Sequence, residues 1–110
     1  MSYELQQYDD LNNILASYRV VILKFYMEGC GPCVNLKRDL DNFQMTYPAF
    51  SPQQLQSKGV LIVNINYQYF PNYVAHFNVE SFPSVFIKTP QGMFKLDNNA
   101  YMILSTAVQS

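Results

Sequence analysis

The stretch Val20-Val21-Ile22-Leu23-Lys24-Phe25-Tyr26-Met27-Glu28-Gly29-Cys30-Gly31-Pro32-Cys33 decides the fold. Its first seven residues are β-branched, aliphatic or aromatic apart from Lys24, the pattern of a strand buried on both faces. Gly29 to Pro32 breaks that strand. Beyond Cys33 the residues Leu36, Leu40, Phe43 and Tyr47 recur at helical spacing and mark one face of a helix that Pro48 ends. A buried strand therefore runs into a helix through a loop that holds both cysteines.

Toward the N-terminus, Asp9 and Asp10 are placed to cap a helix carrying Leu11, Ile14 and Leu15 and ending near Tyr18. Toward the C-terminus, residues 48–59 contain Pro48, Pro52 and Gly59 and read as an irregular connection with room for a helical turn at Gln53–Gln56. Val60–Asn66 is a second strand, and Pro71 opens a helix through Tyr73, Val74 and Phe77. Ser84–Lys88 is a third strand. Thr89-Pro90-Gln91-Gly92 has turn chemistry, which returns Met93–Leu96 as an antiparallel partner. Asn98 or Asn99 caps a final helix ending near Val108. Alternating strands and helices imply an α/β fold, a mixed central sheet flanked by helices on both faces and connected by right-handed crossovers.

At 110 residues the chain is expected to form a single domain over 1–110. Hydrophobic residues make up 49%, with eight Phe and nine Tyr, enough apolar surface for a core without metal or structural disulfides. The net charge is −1, and Arg19, Lys24, Lys37, Arg38, Lys58, Lys88 and Lys95 are scattered, so no nucleic-acid partner is expected. The longest apolar runs, Val20–Leu23 and Val60–Val63, fall far short of the roughly 20 residues a membrane helix needs. Met1–Asp10 lacks both the basic start and the apolar stretch of a secretory signal, so a cytoplasmic setting is expected, with no membrane partner.

Both cysteines lie in one Cys-x-x-Cys motif, which leaves no pair to staple the fold. One His and two Cys make a four-ligand zinc site dependent on carboxylates or a second molecule, so no metal is expected. The motif points instead to redox chemistry. Residues i and i+3 across a helix start bring their sulfurs within bonding reach. The first sulfur meets unsatisfied backbone N–H groups at the positive end of the helix dipole, which favours its thiolate. Cys30 is thus the expected nucleophile and Cys33 the resolving thiol, more shielded by the helix turn. Gly29, Gly31 and Pro32 form the loop around them, and no cofactor is needed beyond the Cys30–Cys33 disulfide itself.

These residues resemble the thioredoxin family, and the resemblance covers most of the chain. Val20–Cys33 is similar to the family's first central strand and active-site loop, with Cys30-Gly31-Pro32-Cys33 matching the family's own tetrapeptide. Asn64-Ile65-Asn66 resembles its second central strand. Ser81-Phe82-Pro83-Ser84-Val85-Phe86-Ile87 resembles the segment bearing its cis proline, which maps onto Pro83. The resemblance implies a thioredoxin-like fold and reduction of protein disulfides by dithiol exchange. It also implies recharging by a separate reductase, and target binding along Phe82 and Pro83. A monomer is expected. Isomerase or oxidase activity, and a binding module without catalysis, are the other readings left open.

The departures are informative. The family usually has Trp just before the first cysteine and a buried Asp six residues before it; these positions hold Gly29 and Lys24. The Lys that commonly neighbours that Asp falls near Ile62, and residues 48–58 look like an insertion. Lys24 either packs its stem and extends its head to water, or points below the loop toward Cys33. In the second case its charge would favour thiolates nearby. His76 and Glu28 read as a surface residue and a solvated loop charge; the aromatic cluster Tyr67, Tyr69, Phe70 and Tyr73 reads as core or edge packing, with a partner surface as the other reading.

Overall fold

Four side chains start helices by accepting a backbone N–H that the helix itself leaves free: Asp10 from Asn12, Cys30 from Cys33, Ser51 from Gln54 and Asn99 from Met102. In the computed structural model, which describes residues 2–110, these caps open α1 (Leu11–Ser17), α2 (Gly31–Thr46), α3 (Pro52–Ser57) and α5 (Ala100–Gln109). Helix α4 (Pro71–His76) opens on its proline instead, whose absent N–H is one the first turn could not have used. A 3₁₀ turn at Pro48–Phe50 separates α2 from α3.

The strands are β1 (Tyr3–Glu4), β2 (Val20–Tyr26), β3 (Val60–Asn66), β4 (Ser84–Thr89) and β5 (Gly92–Leu96). They form one mixed sheet in the order β1-β3-β2-β4-β5, with β1 and β2 parallel to β3 and with β4 antiparallel to both β2 and β5. Strand β2 is central, so both of its faces are covered and its apolar run needs no polar alternation.

The alternation of side chains along β2 divides the core in two. Val20 and Ile22 point to the face covered by α2, α3 and α5, with Leu36, Leu40, Ile103 and Leu104 packed against them. Val21, Leu23 and Phe25 point to the face covered by α1 and α4, where Phe25 meets Phe77 and Phe86 at ring distances of 5.5 and 5.8 Å. Lys24 follows Ile22 on the α2 face. As a residue it is only 6% exposed.

Two elements go beyond the sequence reading. Strand β1 is two residues long and exists because the edge of β3 offers it hydrogen bonds, a property of a distant partner rather than of Tyr3 and Glu4. The connection over 48–59 holds a full α3, anchored by buried Leu55 among polar residues that carry no periodic signal. Tyr47 is the C-cap of α2 and half exposed, so the apolar stripe ends at Phe43, whose ring Tyr47 meets at a tilt with centroids 4.6 Å apart. Among the described residues no helix is long and apolar enough to cross a membrane.

Candidate active site

Three carboxyl-end features of the sheet meet at one place: the end of β2, the start of α2 and the segment leading into β4. Gly29 sits at φ +75°, the left-handed region that lets the chain leave β2 and turn into α2. A Cβ built there would meet nothing within 4 Å, so the glycine serves the backbone conformation rather than a close approach. Gly31 and Pro32 then form the first turn of α2, and the Val34 N–H closes the first helical bond onto the Cys30 carbonyl at 3.1 Å.

Cys30 is the N-cap of α2. Its Sγ accepts the Cys33 backbone N–H at 3.1 Å, the position at which a developing thiolate is stabilised by a backbone donor and the helix dipole. Cys30 and Cys33 are joined as a disulfide, with Cα atoms 5.2 Å apart. Their exposures are 6% and 7%, so the expected shielding of Cys33 does not appear as a difference in accessible surface. The two residues differ in surroundings: Cys30 Sγ lies 3.6 Å from the Phe82 carbonyl oxygen, while Cys33 lines a cavity together with Lys24.

The segment before β4 supplies the opposite wall. The Phe82–Pro83 peptide is cis, Pro83 is buried, and the Phe82 carbonyl oxygen lies 3.6 Å from Cys30 Sγ. Two hydrogen bonds fix this corner: Asn98 Nδ2 donates to the Pro83 carbonyl at 2.9 Å, and Ser84 Oγ donates to the Ser81 carbonyl at 2.6 Å. Of the two asparagines read as possible caps, Asn99 takes the cap and Asn98 is left to clamp the proline corner, a role without a local sequence signal. Replacing Asn98 with Ala is expected to cost about 1 kcal/mol of stability, read as a lower urea midpoint at unchanged slope. An unchanged midpoint would show that the clamp is not needed.

Beneath the loop, Lys24, Cys33, Tyr26, Glu4 and Asn64 line a common cavity of about 310 Å³. Lys24 stands in register with Asn64 on β3, and Asn64 in register with Glu4 on β1, so these three form one row across the sheet. Burial is the main cause pushing the Lys24 amine below its ordinary value; Asp41 and Glu4 pull it back up and Lys37 pushes it down further. Tyr26 donates its hydroxyl to Glu4 Oε2 at 2.7 Å, and burial together with that bond pushes the phenol up to about 12. Asn64 Nδ2 donates to Ser2 Oγ at 2.7 Å, but its buried Oδ1 has no partner.

Other residues singled out from the sequence fall away from the sulfurs or at their rim. His76 is exposed on α4, and Glu28 is exposed in the loop. Tyr67 and Tyr69 are 41% and 70% exposed rather than core, with the Tyr67 ring 5.2 Å from that of Phe82, because the chain leaves β3 at the open end of the sheet. Among the described residues no cluster of side chains is suited to hold a metal ion.

The sequence profile of the thioredoxin family matches residues 3–103. The chain is 32% identical over 91 residues to thioredoxin-T of Drosophila melanogaster; the match covers 80% of this chain and 52% of that relative, so the chain spans about half of its length. Its fold is similar to that of mitochondrial thioredoxin 3 of Saccharomyces cerevisiae, with a TM-score of 0.72 at 17% identity over 98% of this chain and 93% of that one. It is also similar to the first thioredoxin domain of mouse protein disulfide-isomerase A4, with a TM-score of 0.71 at 18% identity over 96% of this chain and 72% of that one. At such identities the structural likeness speaks for the fold alone, which is thioredoxin-like. With a profile match over nearly its whole length and a disulfide in the Cys-x-x-Cys motif at the head of α2, the chain belongs to the thioredoxin family.

Proposed function

We propose that this chain is a thiol–disulfide oxidoreductase that reduces protein disulfides through Cys30 and Cys33. The observation that carries the reading is the Cys33 N–H donated to Cys30 Sγ at the head of α2, which favours the thiolate at Cys30. In the dithiol state the Cys30 thiolate attacks one sulfur of a target disulfide, and the other target sulfur leaves as a thiolate. Cys33 then loses its proton and attacks Cys30 Sγ; the mixed disulfide breaks, the target leaves as a dithiol, and Cys30–Cys33 becomes the disulfide. Two electrons have passed to the target, and a separate reductase returns them. The cis corner leaves the Phe82 backbone facing Cys30, where it can pair with an extended target segment. Lys24 is assigned the role of favouring the thiolate at Cys33, with which it shares a cavity. The chain acts as a monomer in the cytoplasm, without cofactor or metal.

Cys33→Ser is expected to accumulate mixed disulfides through Cys30 when passed through a reducing cytosolic extract, because the first attack remains and the resolving attack is gone. A Cys30→Ser control should capture little. Equal recovery on both variants would overturn the assigned roles. The reduction potential then separates a reductase, near about −270 mV, from an isomerase, near about −180 mV.

A further inference from the structure

Beside the cavity that Cys33 lines there is a second one of about 600 Å³, and the two share Glu4, Tyr26 and Glu28. Tyr69 and Phe70, from the chain that leaves β3, also line it. Tyr69 is 70% exposed, and Tyr67 in the same turn has its ring 5.2 Å from that of Phe82. An aromatic surface therefore continues from this cavity to the cis corner opposite Cys30. Glu4 and Glu28 bring two carboxylates to the cavity, and no Lys, Arg or His lines it. Tyr26 holds Glu4 by donating to Oε2, which leaves Oε1 for an incoming donor. Glu28 stands two residues before Cys30 and has no ion-pair partner among the described residues.

The same sign of charge prevails around the disulfide. Glu80, three residues before Pro83, and Asp97, next to the Asn98 that clamps the Pro83 carbonyl, are both exposed. The cations nearest this end are otherwise engaged: Lys24 is 6% exposed, Lys37 is paired with Asp41 at 2.9 Å, and Lys95 stands 5.9 Å from the Phe86 ring. Arg19, Lys58 and Lys88 meet at the opposite end of the sheet, where Arg19 Nε donates to the Lys58 carbonyl and Lys88 Nζ to the Tyr18 carbonyl. A field of this kind draws cationic partners toward the disulfide.

We propose that this cavity takes an Arg or Lys side chain of the target protein, and so selects disulfides that have a basic residue close by. The inference rests on the reading of the chain as a reductase of protein disulfides. The alkyl stem of the basic residue packs on Tyr69 and Phe70, whose ring faces also attract its charge. Its head donates to Glu28 and to Glu4 Oε1. An acidic side chain would meet two like charges there, and a neutral one would gain only the apolar contact.

The test mixes the reduced wild-type protein with two short peptides whose disulfide is flanked on both sides by Arg or by citrulline, which keeps the shape of Arg without its charge. The second-order rate of Cys30–Cys33 oxidation at pH 7 and low salt is divided by the rate of the same peptide with mercaptoethanol. That division removes the effect of charge on the disulfide itself. Each exposed charge pair or cation–π contact is worth a factor of about two to five, so the Arg peptide is expected to react at least about fivefold faster. Glu28→Gln is expected to bring that ratio down to about twofold or less. Glu80→Gln, which removes a charge from the same end but outside the cavity, is expected to keep the ratio within about a factor of two of the parent. Equal rates for the two peptides would overturn the inference and leave the reductase reading standing; turnover of neither would overturn both. Equal loss of the ratio in Glu28→Gln and Glu80→Gln would assign the preference to the general field and overturn the cavity as its source.

Discussion

Cys30→Ser is expected to lower kcat/KM for reduction of a disulfide peptide by at least about a thousandfold, down to the rate of the reductant alone. The substitution is a clean one, because serine is itself a good N-cap and its Oγ can accept the Cys33 N–H that Cys30 Sγ now accepts at 3.1 Å. Helix α2 should therefore form as before, and the Lys24 cavity below it should keep its shape. The loss would come from chemistry: a serine hydroxyl is not ionised near neutral pH and is a poor nucleophile toward sulfur. Circular dichroism and the urea midpoint check the first half, and turnover with a chemical reductant checks the second. Residual activity within about tenfold of the parent would show that Cys30 is not the attacking group.

How far the fold could be read from sequence depends on where each element's cause lies. Strand β2, its loop and α2 were legible because the apolar run, the glycine break and the helical repeat through Leu40 are all local. The proline corner was legible through resemblance, since nothing in Phe82-Pro83 alone specifies a cis peptide. Strand β1 was not legible, because it is a response to the open edge of β3, sixty residues away in sequence. The clamp from Asn98 was hidden for a related reason. Two adjacent asparagines compete for one cap, and only the fold shows that the unused amide lies beside the Pro83 carbonyl.

The site divides in the same way. The identity of the sulfurs and their place at the head of a helix follow from the Cys-x-x-Cys spacing. Their surroundings were read only through the resemblance, which gave Phe82 and Pro83 to the site and offered Lys24 below the loop as one of two readings; the fold sets the Phe82 carbonyl 3.6 Å from Cys30 Sγ and lines one cavity with Lys24 and Cys33. The tyrosines after β3 illustrate the limit. Aromatic content pointed mainly to packing; Phe70 and Tyr73 do pack against the core, while Tyr69 is 70% exposed.

Lys24→Met is expected to stabilise the protein by about 1–3 kcal/mol at neutral pH and, in the reduced protein, to move the cysteine titrations upward. Methionine keeps much of the volume and removes a buried charge that has no ion-pair partner among the described residues. The pH dependence follows from the direction of the shift. Burial holds Lys24 below its ordinary value in the folded chain, so between the folded and the unfolded values the unfolded chain binds more protons, and parent stability rises with pH. The advantage of the variant is therefore full below the lowered value and closes as pH rises toward the ordinary lysine range. Urea midpoints at neutral and alkaline pH measure it; a gap that does not close would mean the effect is packing rather than charge. The second readout concerns Cys33, which shares the cavity with the ammonium. Removing a cation from that cavity removes a stabiliser of the thiolate, and thiolate ultraviolet absorbance against pH should show the upward displacement. Superimposable titration curves in two folded proteins would leave Lys24 without an electrostatic role in the chemistry.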